Sequence, residues 1–241
     1  MSPKVTLVYA YYDNPDMLRR QLGEWMMYPP SCAEQIEFIV VDDGSPHASA
    51  MSVVTSAPVP MNLSVYRVQV DVPWGQDGAR NIAMHECGTP WALMTDMDHL
   101  LACREVPSML GAVDRALRGH YYMPMRVKTS GEAYHPHPNS FLFNVEDFWK
   151  MGGYDEDFVG FYGSDGNFRK CAQGAGLQEV RTEQFRLILF GSHDVHDANT
   201  RTLTRKEGEL WAAKNPFLDK KRRGPAYKAS RPFRSPYVRQ L

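Results

Sequence analysis

The sequence is short of cysteine, of net charge and of long apolar runs, and each shortage narrows the class of protein. Its 241 residues include four cysteines, scattered without a CxxC pair, which favours free thiols in a reducing compartment over a disulfide framework or a zinc ribbon. No apolar run is long enough to cross a bilayer, so we expect no transmembrane segment. The first residues, MSPKVTLVYAYYDNP, turn polar at Asp13 and predict a strand rather than a signal peptide. Together these features predict a cytoplasmic protein.

The net charge of −1 results from two parts of opposite charge. Residues 220–241 hold eight lysines and arginines and no acid, whereas residues 1–219 hold 19 basic and 28 acidic residues, a net charge of −9. The length suits one large domain, which we place at 1–218, followed by a Pro-, Arg- and aromatic-rich tail at 219–241 that we expect to be extended or disordered. This composition fits nucleic acid, an anionic membrane surface, or a tail folded back onto the acidic body.

Hydrophobic periodicity predicts strands and helices in alternation along the first half of the chain. Such alternation predicts an α/β fold with a mainly parallel sheet and helices on its faces. Predicted strands lie at 5–9, 36–41, 63–70 and 91–95, and predicted helices begin at Asn14-Pro15 and span 76–87. The more mixed second half predicts helices at 106–117, 145–151 and from Ser164 to about 173, and strands at 121–127, 141–143 and 186–190.

Two acidic turns follow predicted strands of this sheet. Asp42 and Asp43 end the strand in VVDDGS, and Asp96 and Asp98 end the strand in MTDMD. Because ligands bind at the carboxyl ends of the strands in such sheets, we expect the two turns to face one crevice. Residues i and i+2 of an extended backbone point to the same side, so Asp96 and Asp98 can approach one Mn²⁺ or Mg²⁺ ion. The alternative is a solvated pair of loop acids.

Several segments, in order along residues 4–200, share one resemblance. They are VTLVYAYYDNPDMLRRQL, FIVVDDGS, GARNIAMHECGTPWALMTDMDHLL and FNVEDFWKMGGYDEDFVGFYGSDGNF. Together they resemble the GT-A glycosyltransferases, especially glycosyltransferase family 2, with a C-terminal portion similar to that of the galactosyltransferases. The resemblance implies a Rossmann-like α/β fold with a nucleotide-sugar-binding half at 1–103 and an acceptor and catalytic half at 104–218. It also implies a metal-dependent, inverting transfer from a nucleotide-diphosphate sugar, with UDP-sugar the leading donor.

Four residues besides Asp96 are candidates for binding the donor, and the resemblance assigns the roles of Asp42 or Asp43 and of Arg80. Asp42 or Asp43 would hydrogen-bond the base or ribose, since an ionised carboxylate accepts from uracil N–H or ribose hydroxyls. The alternative for this pair is a turn closed with Gly44 and Ser45. Arg80 would contact the diphosphate through its planar guanidinium, the alternative being a surface arginine. Trp74 could stack on base or sugar, or belong to the core or rim.

Asp165 is the candidate general base of the resemblance. An inverting transfer needs a carboxylate near the acceptor hydroxyl to take its proton as the oxygen attacks the anomeric carbon. The family usually has Glu-Asp where this chain has Ser164-Asp165. The departure keeps the base and removes an acid that commonly helps bind the acceptor. The alternative is that Asp165 only stabilises a helix N-terminus.

Histidines after the last predicted strand are candidates for the metal site. In several metal-dependent relatives a histidine at this place binds the metal together with the two acids of a DxD motif, which here are Asp96 and Asp98. Neutral imidazole suits Mn²⁺. The segment GSHDVHD offers His193 and His196, and the spacing leaves the choice between them open.

Three further histidines are weaker candidates. His135 and His137 in HPHP resemble a metal-binding tract, but the alternating prolines favour a rigid loop. His99, beside the DxD acids, would line the sugar pocket or serve as a local turn partner.

The acceptor is left open by the sequence. If the tail binds nucleic acid, the acceptor would be a hydroxymethylated pyrimidine in DNA, as in virus-encoded DNA-modifying transferases. Saccharide, lipid-linked glycan and protein acceptors are alternatives, and Ser164 keeps open a non-catalytic protein that binds nucleotide sugar or nucleic acid. A sugar nucleotidyltransferase would show a Gly-rich basic signature near the first strand, which YAYYDNPDM lacks.

Overall fold

The computed structural model shows one mixed sheet with helices on both faces. It describes residues 2–72, 74–159, 164–199, 205–214 and 236–241. The strands are β1 (Val5–Tyr11), β2 (Ile36–Asp42), β3 (Leu63–Val68), β4 (Trp91–Asp96), β5 (His99–Leu100), β6 (His120–Lys128), β7 (Ala133–Tyr134), β8 (Phe141–Asn144), β9 (Gln178–Leu189) and β10 (Tyr237–Arg239). The helices are α1 (Pro15–Trp25), α2 (Pro30–Ala33), α3 (Ala50–Val54), α4 (Gln76–Glu86), α5 (Val106–Arg115), α6 (Val145–Met151), α7 (Asp165–Gly174) and α8 (Arg205–Ala213). None of these described helices is long and apolar enough to cross a membrane.

The strand order puts the crevice of the sheet beside β1. The order is β10-β3-β2-β1-β4-β8-β6-β9-β5, with β7 beside β6. Strands β1 to β4 are parallel, whereas β8 runs antiparallel to β4. The chain moves outward from β1 to β3 and then returns to the other side of β1 as β4. Connections therefore diverge at the carboxyl ends of β1 and β4, which leaves a crevice there. The predicted α/β architecture is confirmed.

Side chains alternate across β1 and feed two separate cores. Val5, Leu7 and Tyr9 face the core that holds α1, α3 and α5, whereas Val8 faces the core that holds α4, α6 and α7. Successive residues of a strand point to opposite faces, so one strand supports both layers. Burying an aliphatic side chain of this size stabilises the fold by about 1.5–3 kcal/mol. The carboxyl edge of the sheet thus stands on packed cores on both sides.

Helix α1 begins where Asn14-Pro15 predicts, but its cap comes from far along the chain. The Asn14 side chain makes no capping hydrogen bond. Instead, the Asp197 carboxylate accepts from the backbone N–H of Asp16 at 2.7 Å and of Met17 at 3.0 Å. The segment after β9 is thereby tied to the first helix.

The largest difference from the predicted elements is β9. We expected a strand at 186–190, and β9 runs from Gln178 to Leu189. Most of its first half is exposed or half-buried and carries charged side chains, so it lacks the apolar run that marks a buried strand. Helix α3 and the two-residue strands β5 and β7 are too short to produce a periodic signal.

The end of the basic tail is a strand on the sheet edge. Strand β10 pairs antiparallel with β3. The Tyr237 hydroxyl donates to Glu86 Oε1 at 2.7 Å, and the Tyr66 hydroxyl donates to Oε2 of the same carboxylate at 3.0 Å. The Arg239 guanidinium lies 6.0 Å from the Tyr66 ring centre. Residues 236–241 are therefore extended and fold back onto the body, which agrees with the third interpretation of the tail and excludes disorder for these residues. Residues 215–235, with the other seven basic residues of the tail, lie outside the described residues.

Replacing Tyr237 tests this docking. Tyr237→Phe removes the hydroxyl donor to Glu86, and we expect the free energy of unfolding to fall by about 1–2 kcal/mol in urea titrations. Val238→Thr, at a 40% exposed position of the same strand, should change it by less than about 0.5 kcal/mol. Equal effects of the two substitutions would contradict the docked strand.

Candidate active site

The DxD turn lies at the crevice and is held from beneath by α1. Asp96 is the last residue of β4 and pairs in register with Ala10 of β1. The Gln21 side chain, fully buried, donates its Nε2 hydrogens to the carbonyl oxygens of Met97 and His99, both at 2.8 Å. These bonds fix the backbone on both sides of Asp98. The sequence contained no signal for Gln21, because its partners lie more than seventy residues away.

Asp96 is neutralised by a buried arginine. Arg80 of α4 is 1% exposed and forms an ion pair with the Asp96 carboxylate, so it is not the surface arginine of the alternative. His137 Nδ1 lies 3.5 Å from the other Asp96 oxygen. Burial alone would raise the pKa of Asp96, but Arg80, followed by His137, His99 and Arg126, holds that pKa below its usual value.

Arg80 also connects the DxD turn to the candidate base. Its Nη1 donates to the Tyr154 hydroxyl at 3.3 Å, and its guanidinium lies 5.5 Å from the Tyr154 ring centre. The charges of Asp96, Asp77 and Asp165 all act on Arg80. The structure thus brings Arg80, Asp96 and Asp165 into one electrostatic cluster, although they lie on three separate elements.

The residue after Arg80 holds the Gly-Gly-Tyr segment in place. Asn81 accepts from the Tyr154 backbone N–H at 2.9 Å and donates to the Tyr154 carbonyl oxygen at 2.8 Å and to Glu156 Oε1 at 2.9 Å. Gly153 has a φ of +70°, and a Cβ there would lie 2.8 Å from Asn81 Oδ1. Only glycine fits this turn. The ARN and GGY motifs are therefore one packed unit.

A second acid, which the sequence analysis missed, lies beside the candidate base. Asp165 is the first residue of α7 and is half-buried. Ser164 stands at the N-cap of α7, but its side chain does not cap the helix. Asp77 is 1% exposed, and burial raises its pKa to about 7, against the opposing effects of Ser164 and Arg80. The only feature of the sequence that could have pointed to Asp77 is its position three residues before Arg80.

The two acids of the VVDDGS turn have different environments. Asp42 is fully buried and accepts from the backbone N–H of Ser45 at 2.8 Å and of Ala50 at 2.9 Å, and from Arg67 Nη1 at 2.6 Å. This is the turn-closing role of the alternative, and it occupies both carboxylate oxygens. Asp43 is the member of the pair left for a ligand, and its nucleotide role stays a prediction.

Asp43 lies in a crowded acidic environment next to a strained turn. It is 6% exposed, and burial, followed by the charges of Asp71, Asp42 and Asp77, raises its pKa well above the usual value. A Cβ on Gly75 would overlap its carboxylate, with Oδ2 at 2.9 Å. Trp74, the residue before, has a φ of +54°, which is rare for a non-glycine residue and often marks a functional site.

The HPHP loop lies over the DxD turn, where sequence reasoning did not place it. The His137 ring is 4.5 Å from the His99 ring, and burial lowers the pKa of His137 to about 4. His99 is 1% exposed, and its Nδ1 lies 2.6 Å from Asp98 Oδ1. His99 is therefore a local partner of Asp98, as its second interpretation supposed.

The two C-terminal histidines lie apart from the DxD acids. The His193 side chain is 83% exposed, with Nε2 3.4 Å from Asp194, and the His196 side chain is 77% exposed, with Nδ1 3.1 Å from Asp16. Among the described residues, the one group of three whose possible ligand atoms lie within 4.8 Å of one another is Asp16, His196 and Asp197.

In this group Asp197 caps helix α1, and the group is not the metal site expected from the sequence. Both Asp197 oxygens accept from backbone N–H groups of α1. The predicted set of Asp96, Asp98 and His193 or His196 is not assembled in this structure, and a metal role for either histidine stays a prediction.

Asp77 should make stability depend on pH. Its folded pKa of about 7 lies above its ordinary value of 3.8, so the stability present at low pH is lost as pH rises through this interval. Asp77→Asn removes the ionisation, and its advantage over wild type should grow by about 2–3 kcal/mol between pH 5 and pH 8. Urea unfolding at both pH values measures this, with Asp114→Asn, at an exposed side chain, as control. An advantage independent of pH would contradict the buried carboxyl.

Known proteins place this arrangement in a family. The family model "Glycosyl transferase family 2" matches residues 15–174. The chain is similar in fold to S. aureus TarS 1-349, at a TM-score of 0.61 and 14% identity over 87% of this chain and 69% of that one. The complex of S. aureus TarS 1-349 with UDP matches at a TM-score of 0.62 and 13% identity, over 90% of this chain and 71% of that one. GalNAc-T7 with UDP, GalNAc and Mn²⁺ matches at a TM-score of 0.60 and 14% identity, over 78% of this chain and 44% of that one. A comparison with curated proteins gave no match. From the family match over most of its length, this chain belongs to glycosyl transferase family 2 and is a glycosyltransferase with a GT-A fold.

Proposed function

We propose that the protein transfers a sugar from a UDP-sugar to an acceptor hydroxyl with inversion, assisted by a divalent cation. The observation that carries this proposal is the position of Arg80, whose guanidinium is paired with Asp96 and lies within the electrostatic reach of Asp165. A donor site at Asp96 and a base at Asp165 would then be close enough for one reaction. The similar structures of TarS and GalNAc-T7 contain UDP, which supports the choice of donor.

The donor would lie across the carboxyl ends of β1, β2 and β4. Asp43 would accept from the base or ribose, because the oxygens of Asp42 are occupied by the turn. Trp74, half-buried beside Gly75, would supply an aromatic face. Arg80 would keep Asp96 oriented and contribute positive charge towards the diphosphate.

The DxD residues fit a cation that prefers oxygen ligands. Oδ1 of Asp98 is bonded to His99, and within the described chain no hydrogen bond or ion pair takes up Oδ2. Asp98, with Asp96 beside it, would hold Mn²⁺ or Mg²⁺. His193 or His196 would complete the metal site if residues 191–197 moved towards these two aspartates. A cation bound there would offset the charge that develops on the diphosphate.

Asp165 would act as the base. Its carboxylate would take the proton of the acceptor hydroxyl while the oxygen bonds to the anomeric carbon and the bond to the diphosphate breaks. The proton ends on Asp165 and UDP leaves. Asp77, whose pKa is raised by burial and, less strongly, by the charge of Asp165, would supply a second carboxyl near the place where the family pattern has glutamate.

The acceptor hydroxyl of the proposed reaction belongs to DNA, a saccharide, a lipid-linked glycan or a protein. A hydroxymethylpyrimidine in DNA depends on the basic residues of 220–234, which lie outside the described residues. Tyr237 and Arg239 are already engaged with β3 and its neighbours. Saccharide, lipid-linked glycan and protein acceptors stand beside DNA as outcomes of the test.

Nucleotide release tests the reaction. With Mn²⁺ and a panel of nucleotide sugars, we expect release of UDP rather than of other nucleotides. Asp165→Asn should lower kcat by about 10²–10⁴-fold through loss of the base, and Asp98→Asn should remove the dependence on Mn²⁺. Asp114→Asn serves as the exposed control. Full activity of Asp165→Asn would refute the base.

The acceptor is read from the mass of the product. The same reactions are run with hydroxymethylpyrimidine duplex DNA and with saccharide acceptors. A hexose or pentose added to the DNA supports the nucleic-acid acceptor, whereas unchanged DNA together with glycosylated saccharide excludes it.

Alanine substitutions at two glycines test whether Asp43 binds the donor. Gly75→Ala places a Cβ against the Asp43 carboxyl group, and we expect UDP binding measured by calorimetry to weaken by up to about tenfold for one displaced hydrogen bond. Gly78→Ala is a matched control, since its nearest neighbour would be Val159 Cγ2 at 3.7 Å. UDP affinity that is equal in the two variants would remove Asp43 from the nucleotide site.

A further inference from the structure

A chain of three hydrogen-bonded side chains, two of them buried, ends at Asp98. Arg126 of β6 is 4% exposed, and its Nη1 lies 2.9 Å from His99 Nε2. The opposite ring nitrogen, Nδ1, lies 2.6 Å from Asp98 Oδ1. The guanidinium, the imidazole and the carboxylate therefore form one continuous hydrogen-bonded line.

The chemistry of the three groups decides where the proton is. A guanidinium has only N–H donors, so Nε2 of His99 has to accept and cannot carry a hydrogen. A neutral imidazole carries one hydrogen, which is then on Nδ1 and is donated to Asp98 Oδ1. A protonated imidazole would direct a second N–H at Arg126. The contact thus selects a single neutral tautomer of His99.

Other elements anchor both His99 and Arg126. The His99 backbone is held by Gln21 through its carbonyl oxygen and pairs with Leu189 of β9. Arg126 Nε donates to the His135 carbonyl oxygen at 2.7 Å, and its Nη2 lies 3.2 Å from His135 Nδ1. The Tyr134 ring centre is 4.9 Å from the Arg126 guanidinium. The imidazole cannot rotate without breaking a bond at one of its nitrogens.

We propose that Arg126 and His99 are positioning residues that orient the Asp98 carboxylate, so that Oδ1 is occupied and Oδ2 faces the cation. The inference rests on the proposed function, because it assigns Asp98 as a ligand. It adds a role for two residues of β5 and β6 that make no contact with substrate in that proposal. A histidine that donates to a metal-binding carboxylate fixes its direction, as partners one layer behind a ligand commonly do.

The tautomer of His99 is the first test and needs no variant of Arg126. Metal-free protein labelled with ¹⁵N-histidine should show a protonated-type ¹⁵N shift at Nδ1 and an unprotonated-type shift at Nε2. Signals missing from His99→Gln identify this residue among the eight histidines. A hydrogen on Nε2 overturns the proposal.

Cation affinity is the second test. Free Mn²⁺ is followed by electron paramagnetic resonance in the presence of UDP. Arg126→Met should raise the Kd for Mn²⁺ about tenfold, with partial recovery in Arg126→Lys, and should shift the His99 proton towards Nε2. Arg104→Met, at a 74% exposed side chain, should leave the Kd unchanged.

Asp98→Asn distinguishes a failure of the positioning role from a failure of the proposed cation site. If this variant weakens Mn²⁺ binding and Arg126→Met does not, the positioning role is wrong and the proposed cation site stands. If Asp98→Asn leaves the Kd unchanged, the cation site of the proposed function fails, and the positioning role fails with it.

Discussion

The ion pair between Arg80 and Asp96 is the interaction on which the site depends. Arg80 is 1% exposed, and removing such a charge from water costs several kcal/mol unless other groups compensate. The Asp96 carboxylate, the Tyr154 hydroxyl and ring, and the charges of Asp77 and Asp165 supply that compensation. Because these groups lie on β4, the Gly-Gly-Tyr segment, α4 and α7, forming the ion pair also assembles the two halves of the site.

The same coupling of distant parts recurs around the DxD turn. Gln21 of α1 holds the backbone of Met97 and His99, and Asp197, beyond β9, caps the helix that carries Gln21. The turn is therefore supported by the first helix, and that helix by the last described loop of the body. Such long-range contacts hold the backbone of the carboxyl edge in place, which suits a site whose groups need fixed geometry.

The sequence predicted what local patterns determine and missed what distant contacts determine. Strand β4 and helix α4 were predicted within a residue or two, because apolar runs and periodicity are local properties. Asp42 and Asp43 look equivalent in sequence, and only the fold shows that Asp42 closes a turn with Ala50 and Arg67.

Histidines were the least predictable part of the site. His137 lies against Asp96, although proline spacing suggested only a rigid loop, and His196 lies against Asp16. A histidine gives no signal of its own about which loop will pack beside it. The order of motifs along the chain, by contrast, identified the family, because a series of segments is much less frequent by chance than any one of them.

The balance of charge at the crevice bears on the proposed cation. Arg80 is already paired with Asp96, and Arg126 directs its Nη1 at His99 and its other donors at His135. The potential around Asp43 is negative as well, since burial and then the charges of Asp71, Asp42 and Asp77 raise the pKa of its carboxyl. A diphosphate entering beside these acids meets repulsion that the described cationic side chains, engaged as they are, offset only in part. Positive charge that arrives with the donor and binds the open oxygen of Asp98 would offset this repulsion, as in the metal-assisted transfer proposed above.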